Sequence, residues 1–159
     1  MRNEYRVDYN FTFEAYINVR SSENFEGFLD FGNYDEGTNQ SGFGAFLYSG
    51  GWRFYLRTEQ SAFGDIQHVV ASAPVDTWAH FAVTFGNGTL KLYRDGILVD
   101  SRGGYSGPVD WSGFSGDLTL GRFDYDEGQY RYFDGLMDEV RFWNVTKSEN
   151  QIKAYKTID

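Results

Sequence analysis

Along most of the chain apolar and polar residues alternate with period two, the spacing of a strand with one buried face. In FTFEAYINV (11–19), Phe11, Phe13, Ala15, Ile17 and Val19 fall on one face, and Thr12, Glu14, Tyr16 and Asn18 on the other. Similar alternation predicts strands over 25–32, 43–49, 52–58 and 66–71, separated by Gly, Asn, Ser and acidic residues. In WAHFAVTF (78–85) Ala79, Phe81, Val83 and Phe85 share a face. Strands at 89–94 and 97–101 flank Asp95-Gly96, a pair that supplies the positive φ angles of a two-residue hairpin. Counting out from that turn sets Leu92 against Val99 and Lys91 against Asp100. After a glycine-rich stretch, 102–116, strands follow within 117–122 and 135–143. Only the end reads as helical, with Ser148 as N-cap and Gln151 at the third helical position, a capping-box pattern. Roughly ten short strands and one C-terminal helix predict an all-β fold, a two-sheet antiparallel jelly-roll sandwich in one domain over 1–159.

Composition sharpens this picture. The 159 residues are 41% hydrophobic, enough for a sizeable core. The 15 Phe, 12 Tyr and 4 Trp exceed what one interior holds, which places tyrosines on half-wet surfaces. A net charge of −9 excludes a nucleic-acid partner, because a phosphate-binding surface needs clustered Lys and Arg. It is compatible with divalent cations and with neutral glycans. With no cysteine there is neither a disulfide nor a thiolate metal site. No apolar run has the length of a membrane span, and MRNEYRVDYNF has no apolar signal core, so a secreted form takes its signal from elsewhere.

Two motifs carry a family likeness. Within 76–99, Trp78 is followed by His80, a strand, a turn and Tyr93-x-Asp95-Gly96; within 118–152 come Leu118-x-Leu120-Gly121, Gly135-x-x-Asp138-Glu139-Val140 and the closing helix. Together they resemble the laminin-G-like and pentraxin-like domains of the concanavalin A-like lectin/glucanase superfamily, over nearly the whole chain from Phe11 onward. The resemblance implies a concanavalin A-like sandwich, extracellular or on a cell or virion surface, within a larger multidomain protein. It implies a glycan or glycoprotein partner, often beside a rim calcium ion, and no chemistry in most members. Such domains often begin with an extra strand, for which EYRVDY (4–9) is the candidate.

The candidate residues form four groups. The Glu-x-Asp-x-(x)-Glu run of the superfamily's glucanases is absent, and retaining glycosidases need two carboxyls about 5–5.5 Å apart. No catalytic residue is assigned, and His80 is expected to be a structural hydrogen-bonder. Asp138 falls in the apolar row of Leu136, Val140 and Phe142; a core-facing carboxylate is either hydrogen-bonded or a calcium ligand. Tyr-Asp-Glu-Gly occurs twice, at 34–37 and 125–128. One reading is turn chemistry. The other is a rim patch where the loops 33–42 and 123–131 meet, with Tyr34, Asp35, Tyr125, Asp126 and Tyr130 as ligand-binding residues. Calcium is the suspected cofactor, with Asp35, Asp124, Asp126 and Asp138 as its candidate ligands. By the same resemblance, Asp35 matches a frequent rim-calcium position.

The fourth group is a sheet face. If Leu29, Phe31, Leu47, Phe54 and Leu56 point inward, then Phe28, Asp30, Phe46, Tyr48, Arg53, Tyr55 and Arg57 share the other face. Rings beside a few polar groups fit a sugar site, with Tyr48, Arg53 and Tyr55 as candidates; the alternative is a face covered by loops. The stretch 103–113 would then supply a lid or platform through Tyr105 and Trp111. Two functions remain open: a non-catalytic carbohydrate- or glycoprotein-binding module, and a structural or adhesion domain of a surface or phage-tail protein acting through protein contacts, its tyrosines marking the interface.

Overall fold

The computed structural model describes residues 6–21, 23, 25–34, 41–60, 67–114, 116–124 and 129–156, with backbone alone at 67–70. In chain order the strands are β1 (Phe11–Val19), β2 (Gly27–Asn33), β3 (Ser41–Tyr48), β4 (Gly51–Leu56), β5 (Gln67–Ser72), β6 (Trp78–Gly86), β7 (Thr89–Arg94), β8 (Ile97–Gly103), β9 (Thr119–Leu120), β10 (Arg122–Asp124), β11 (Tyr130–Tyr132) and β12 (Gly135–Trp143), and the helix α1 is Glu149–Tyr155. One sheet runs β12-β1-β6-β7-β8; the larger runs β10-β11-β2-β3-β4-β5, with β9 also paired to β2. The expected jelly-roll sandwich is the architecture observed.

Between the sheets lies an aromatic core. Phe11 stacks on Phe43 of the opposing sheet with ring centroids 4.6 Å apart, and Phe81 meets Phe28 at 5.0 Å and Trp52 at 5.2 Å, both edge-on. Each buried ring contributes roughly 1.5–3 kcal/mol by leaving water. Tyr105, Val109 and Trp111 close one end, Trp111 lying 4.8 Å from Phe31 and Tyr105 5.5 Å from Phe85.

Three β-bulges overturn expectations built on unbroken alternation, because each inserted residue reverses the phase of its strand. In β2 Gly27 opposes Phe46 and Leu29 opposes Ala45, so Phe28 is extra and turns into the core. In β8 Ile97 and Leu98 oppose Arg94 and Tyr93 as the turn dictates, but Leu92 then faces Asp100 and Lys91 faces Ser101. Val99 is the bulged residue, and the expected Leu92–Val99 and Lys91–Asp100 pairs do not form. In β12 Tyr16 opposes Asp138 but Glu14 opposes Arg141, leaving Glu139, at φ +50°, and Val140 opposite Ala15. Met137 and Phe142 therefore face the core while Asp138 is exposed, its carboxylate accepting the Glu139 N–H at 2.7 Å. Asp138 holds its own bulge; the core-facing carboxylate expected there is not found.

The polar face of β1 is also buried. Residues 144–156 fold back over that sheet: the Thr12 hydroxyl donates to Val145 O, Thr146 donates to Phe85 O, and Ile152 packs on Ala82 and Tyr93. The capping box forms, the Ser148 hydroxyl accepting the Gln151 N–H and Gln151 Oε1 accepting the Ser148 N–H. His80 is buried and its backbone N–H donates to Asp95 Oδ1 at 2.9 Å, but neither ring nitrogen has a hydrogen-bond partner among the described residues, so the side-chain bond expected of it is not found. At the N-terminus Val7 enters the core and Asp8 O accepts the Val109 N–H, but residues 6–9 form no strand. The rest of the candidate extra strand lies outside the described residues.

Candidate functional site

The outer face of the larger sheet carries a second aromatic layer, made possible by missing side chains. A Cβ at Gly44 would meet the Tyr55 ring at 2.5 Å, and one at Gly32 the Tyr55 hydroxyl at 2.7 Å. Tyr55 consequently lies flat across the sheet and is 1% exposed. Gly27 does the same for β10: a Cβ there would overlap Phe123, so only glycine lets β10 lie directly on the sheet. Phe123 is thereby buried against Phe46, 4.7 Å away between centroids. Tyr34 completes the layer, 5.4 Å from Phe123 and 5.2 Å from Tyr55, and Phe25 stacks on Phe46 at 5.5 Å and meets Tyr48 at 5.0 Å.

Asp30 lies within this layer, 5% exposed. Its Oδ1 accepts the Tyr55 hydroxyl at 3.4 Å and its Oδ2 the Asp124 N–H at 3.1 Å, which ties the hairpin to β2. Burial pushes the Asp30 carboxyl up to about 7; its bond from the Asp124 N–H opposes that, and the nearby Asp124 carboxylate adds to it. Tyr55 is pushed well above the usual tyrosine range, by burial first and then by the Asp30 charge.

Above the layer is the solvent face of the β10–β11 hairpin. Arg122 opposes Tyr132 and Asp124 opposes Tyr130, and because Phe123 points down, these four residues alternate upward. The Arg122 guanidinium lies 4.3 Å from the Tyr130 ring centroid. Tyr130 is 45% exposed and Tyr132 67%. Toward β4, Arg53 stacks in the same way on Tyr48 at 4.3 Å.

The predicted site residues therefore divide. Tyr34, Tyr48, Arg53, Asp124 and Tyr130 come together around this face. The starts of the two acidic stretches meet, Tyr34 against Phe123, while Asp35, Tyr125 and Asp126 lie outside the described residues. Tyr55 is on the expected face but beneath the layer, its edge turned to Asp30. Arg57 pairs with Asp110 at 3.1 Å. Trp111 and Tyr105 are neither lid nor platform here, because they plug the inter-sheet core; the cover is Tyr34, Phe25 and the hairpin. Asp138 lies on the other sheet.

Reading 123–131 as a loop missed Arg122, Tyr132 and the anchoring role of Asp30. The signal was the alternation Arg-Phe-Asp and Tyr-Arg-Tyr on either side of a glycine-containing stretch of sequence. Among the described residues no three His, Asp or Glu side chains gather as a metal site. Asp30 is enclosed and bonded, so the described carboxylates alone do not make the six- to eight-oxygen shell of calcium.

No helix among the described residues is long and apolar enough to cross a membrane. Comparison with curated protein sequences finds no match. Among solved structures, a candidate carbohydrate-binding protein of Bacteroides ovatus superposes with a TM-score of 0.70 at 22% identity, over 96% of this chain and 42% of that one. The receptor-binding domain of botulinum neurotoxin mosaic serotype C/D follows with a TM-score of 0.64 at 12% identity, over 93% and 36%. A heptameric SAP-like pentraxin from Limulus polyphemus gives 0.61 at 11%, over 99% and 78%. The chain spans less than half the length of the first two, and at these identities the likeness is one of fold. A laminin-G family model of the concanavalin A-like lectin/glucanases superfamily matches residues 3–153, and the chain belongs to that superfamily.

Proposed function

We propose that this domain is a non-catalytic module, borne on an extracellular or surface protein, that binds carbohydrate or glycoprotein through the hairpin face of its larger sheet. The observation that carries the reading is the pair of exposed tyrosines, Tyr130 and Tyr132, held on a hairpin whose underside is fixed by Phe123 and Asp30. Exposed rings on a rigid support meet sugar C–H faces with little loss of conformational freedom, and Asp124 and Arg122 stand beside them for hydroxyls. The superfamily membership and the fold likeness to a candidate carbohydrate-binding protein support it. Calcium enters this proposal through Asp35 and Asp126, in the sequence beside Tyr34 and Tyr125.

The test is a glycan-array screen in calcium, repeated in EDTA, with Tyr130→Ala and Tyr132→Ala alongside. Binding that either substitution weakens about five- to tenfold is expected, since a ring stacked on a ligand contributes on the order of 1–1.5 kcal/mol. Loss in EDTA supports the calcium component; retention removes calcium and leaves the aromatic site. No binding in either buffer overturns the glycan reading.

One observation favours a second reading, a structural or adhesion role through protein contacts. The edge strand β8 leaves Ile97, Leu98 and Val99 exposed, and an apolar open edge is suited to protein contact. Self-association in solution that Val99→Lys abolishes would support that role.

A further inference from the structure

We propose that two copies of this domain pair edge to edge through β8, antiparallel about a two-fold axis at Ser101, with Asp100 of each copy against Arg102 of the other. This rests on the protein-contact reading of that edge and names its partner.

The β8 strand has one side to spare. Among the described residues no strand pairs with it beyond β7; its neighbour in space, β5, belongs to the larger sheet. Two turns fix which of its backbone groups are free. Asn87-Gly88 and Asp95-Gly96 have positive φ at both positions and are closed by the pairs Gly86–Thr89 and Arg94–Ile97. The closing pair of a two-residue hairpin exchanges its hydrogen bonds, and such pairs alternate along the ladder. Thr89, Lys91 and Tyr93 therefore turn their backbone groups to β6, and Leu90, Leu92 and Arg94 turn theirs to β8. Past the bulge Leu92 faces Asp100 and Leu90 faces Arg102, so Ser101 and Gly103 direct their backbone groups away from the sheet.

In the single chain the outward Ser101 N–H donates to Asp100 Oδ1 at 2.8 Å, which guards the edge against indiscriminate pairing. A strand that displaces this contact must give Asp100 a cation in exchange and meet Arg102 with an anion. A second β8 does both. Laid antiparallel on its own copy with Ser101 at the centre, it sets Asp100 opposite Arg102 twice and frees each Ser101 N–H for the facing Ser101 carbonyl. Val99, 41% exposed, falls opposite Gly103, whose bare backbone it covers. The net charge of −9 repels a second copy at a distance, but at physiological salt that field is screened over about 8 Å, and the two pairs act in contact. The hairpin face lies on the other sheet and stays open in both copies. On the glycan-binding reading the pair therefore offers two saccharide sites to a multivalent surface.

The experiment is sedimentation velocity over a concentration series of the intact chain, as wild type, Asp100→Arg, Arg102→Asp and an equal mixture of the two variants. Thermal melts establish that both variants fold. Wild type should pass from monomer to dimer as concentration rises, and each charge reversal alone should weaken association about tenfold or more, since it sets like charges opposite. The mixture should associate again, because each variant supplies the charge the other needs. In this cysteine-free chain, Ser101→Cys should oxidise to a covalent dimer, as opposed Cα atoms of a hydrogen-bonded pair lie about 5.5 Å apart, within the span of a disulfide. Ile97→Cys, on the same strand but off the axis, should not. A monomer at every concentration overturns the pairing and leaves the protein-contact reading to a partner of another sequence. Self-association that the reversals leave intact, or that mixing fails to restore, overturns the two-fold register while the protein-contact reading stands.

Discussion

The outer faces of the two sheets are both covered, by different chemistry. On the five-stranded sheet the cover is the C-terminal segment 144–156, fastened chiefly by polar groups. Thr12, Glu14 and His80 are buried beneath it, with Glu14 reaching Arg141 at 3.2 Å and Thr12 accepting the Lys147 N–H at 2.9 Å. His80 Nε2 lies 3.4 Å from Glu14 Oε2, within ion-pair range but without the alignment of a hydrogen bond. On the larger sheet the cover is a layer of rings with one enclosed carboxylate, topped by an arginine and two tyrosines. The first arrangement spends its polar groups on fastening the C-terminal segment. The second keeps Tyr130 and Tyr132 exposed, with Arg122 half-buried against the Tyr130 ring. Glu14 Oε2 and both His80 ring nitrogens have no hydrogen-bond partner among the described residues, but they are buried beneath the folded-back segment and out of a ligand's reach. The comparison therefore assigns structure to one face and recognition to the other.

The largest effect expected from breaking this contrast is at Glu14. Glu14→Ala leaves His80 and Arg141 around an unfilled buried site, and should cost about 3–5 kcal/mol in urea denaturation. Saccharide binding by the folded variant should be unchanged; a loss of affinity would mean that the two faces are coupled.

Asp30 gives the next effect, and it depends on pH. Its folded pKa of about 7 stands above the ordinary 3.8, so the native state holds the proton more tightly than the unfolded chain. Its stabilising contribution is complete below the unfolded pKa and is lost as pH rises through about 7. Relative to Asp30→Asn, wild type should gain roughly 2–3 kcal/mol on going from pH 8 to pH 5. Parallel stability curves for the two proteins would exclude a proton-holding carboxyl in the aromatic layer.

The two faces also differ in how far the sequence discloses them. The strands, the Asp95-Gly96 turn and the capping box follow from local pattern, because each depends on neighbours in the chain. The bulges at Phe28, Val99 and Glu139 do not, since alternation continues through them and only the partner strand reveals the extra residue. The outer aromatic face was legible as a row, Phe46, Tyr48, Arg53 and Tyr55. Its covering was not, because that depends on Gly27 and Phe123, ninety-six positions apart in the chain and in contact only after folding. Exposed tyrosines were expected from composition, but which of them stay exposed is decided by that contact.

That contact can be altered alone. Gly27→Val places a side chain where Phe123 sits, forcing β10 off the sheet. Overpacking of this kind costs about 1–3 kcal/mol, and lifting the hairpin should also abolish saccharide binding, as Tyr130 and Tyr132 lose their support. Binding that survives the substitution would mean that the hairpin's position is irrelevant to recognition.

The smallest effect tests the other cover. Ser148→Ala removes the hydroxyl that accepts the Gln151 N–H and ends the capping box, with an expected cost of about 1 kcal/mol. The helix it caps holds Ile152 against Ala82 and Tyr93 on the five-stranded sheet, while the hairpin belongs to the opposite one. Amide exchange should therefore quicken over 149–155 and remain unchanged at Phe123 and Asp124, with saccharide affinity at the wild-type value. Faster exchange at the hairpin would show that the C-terminal segment supports the recognition face through the core, and the division of labour between the two faces would have to be abandoned.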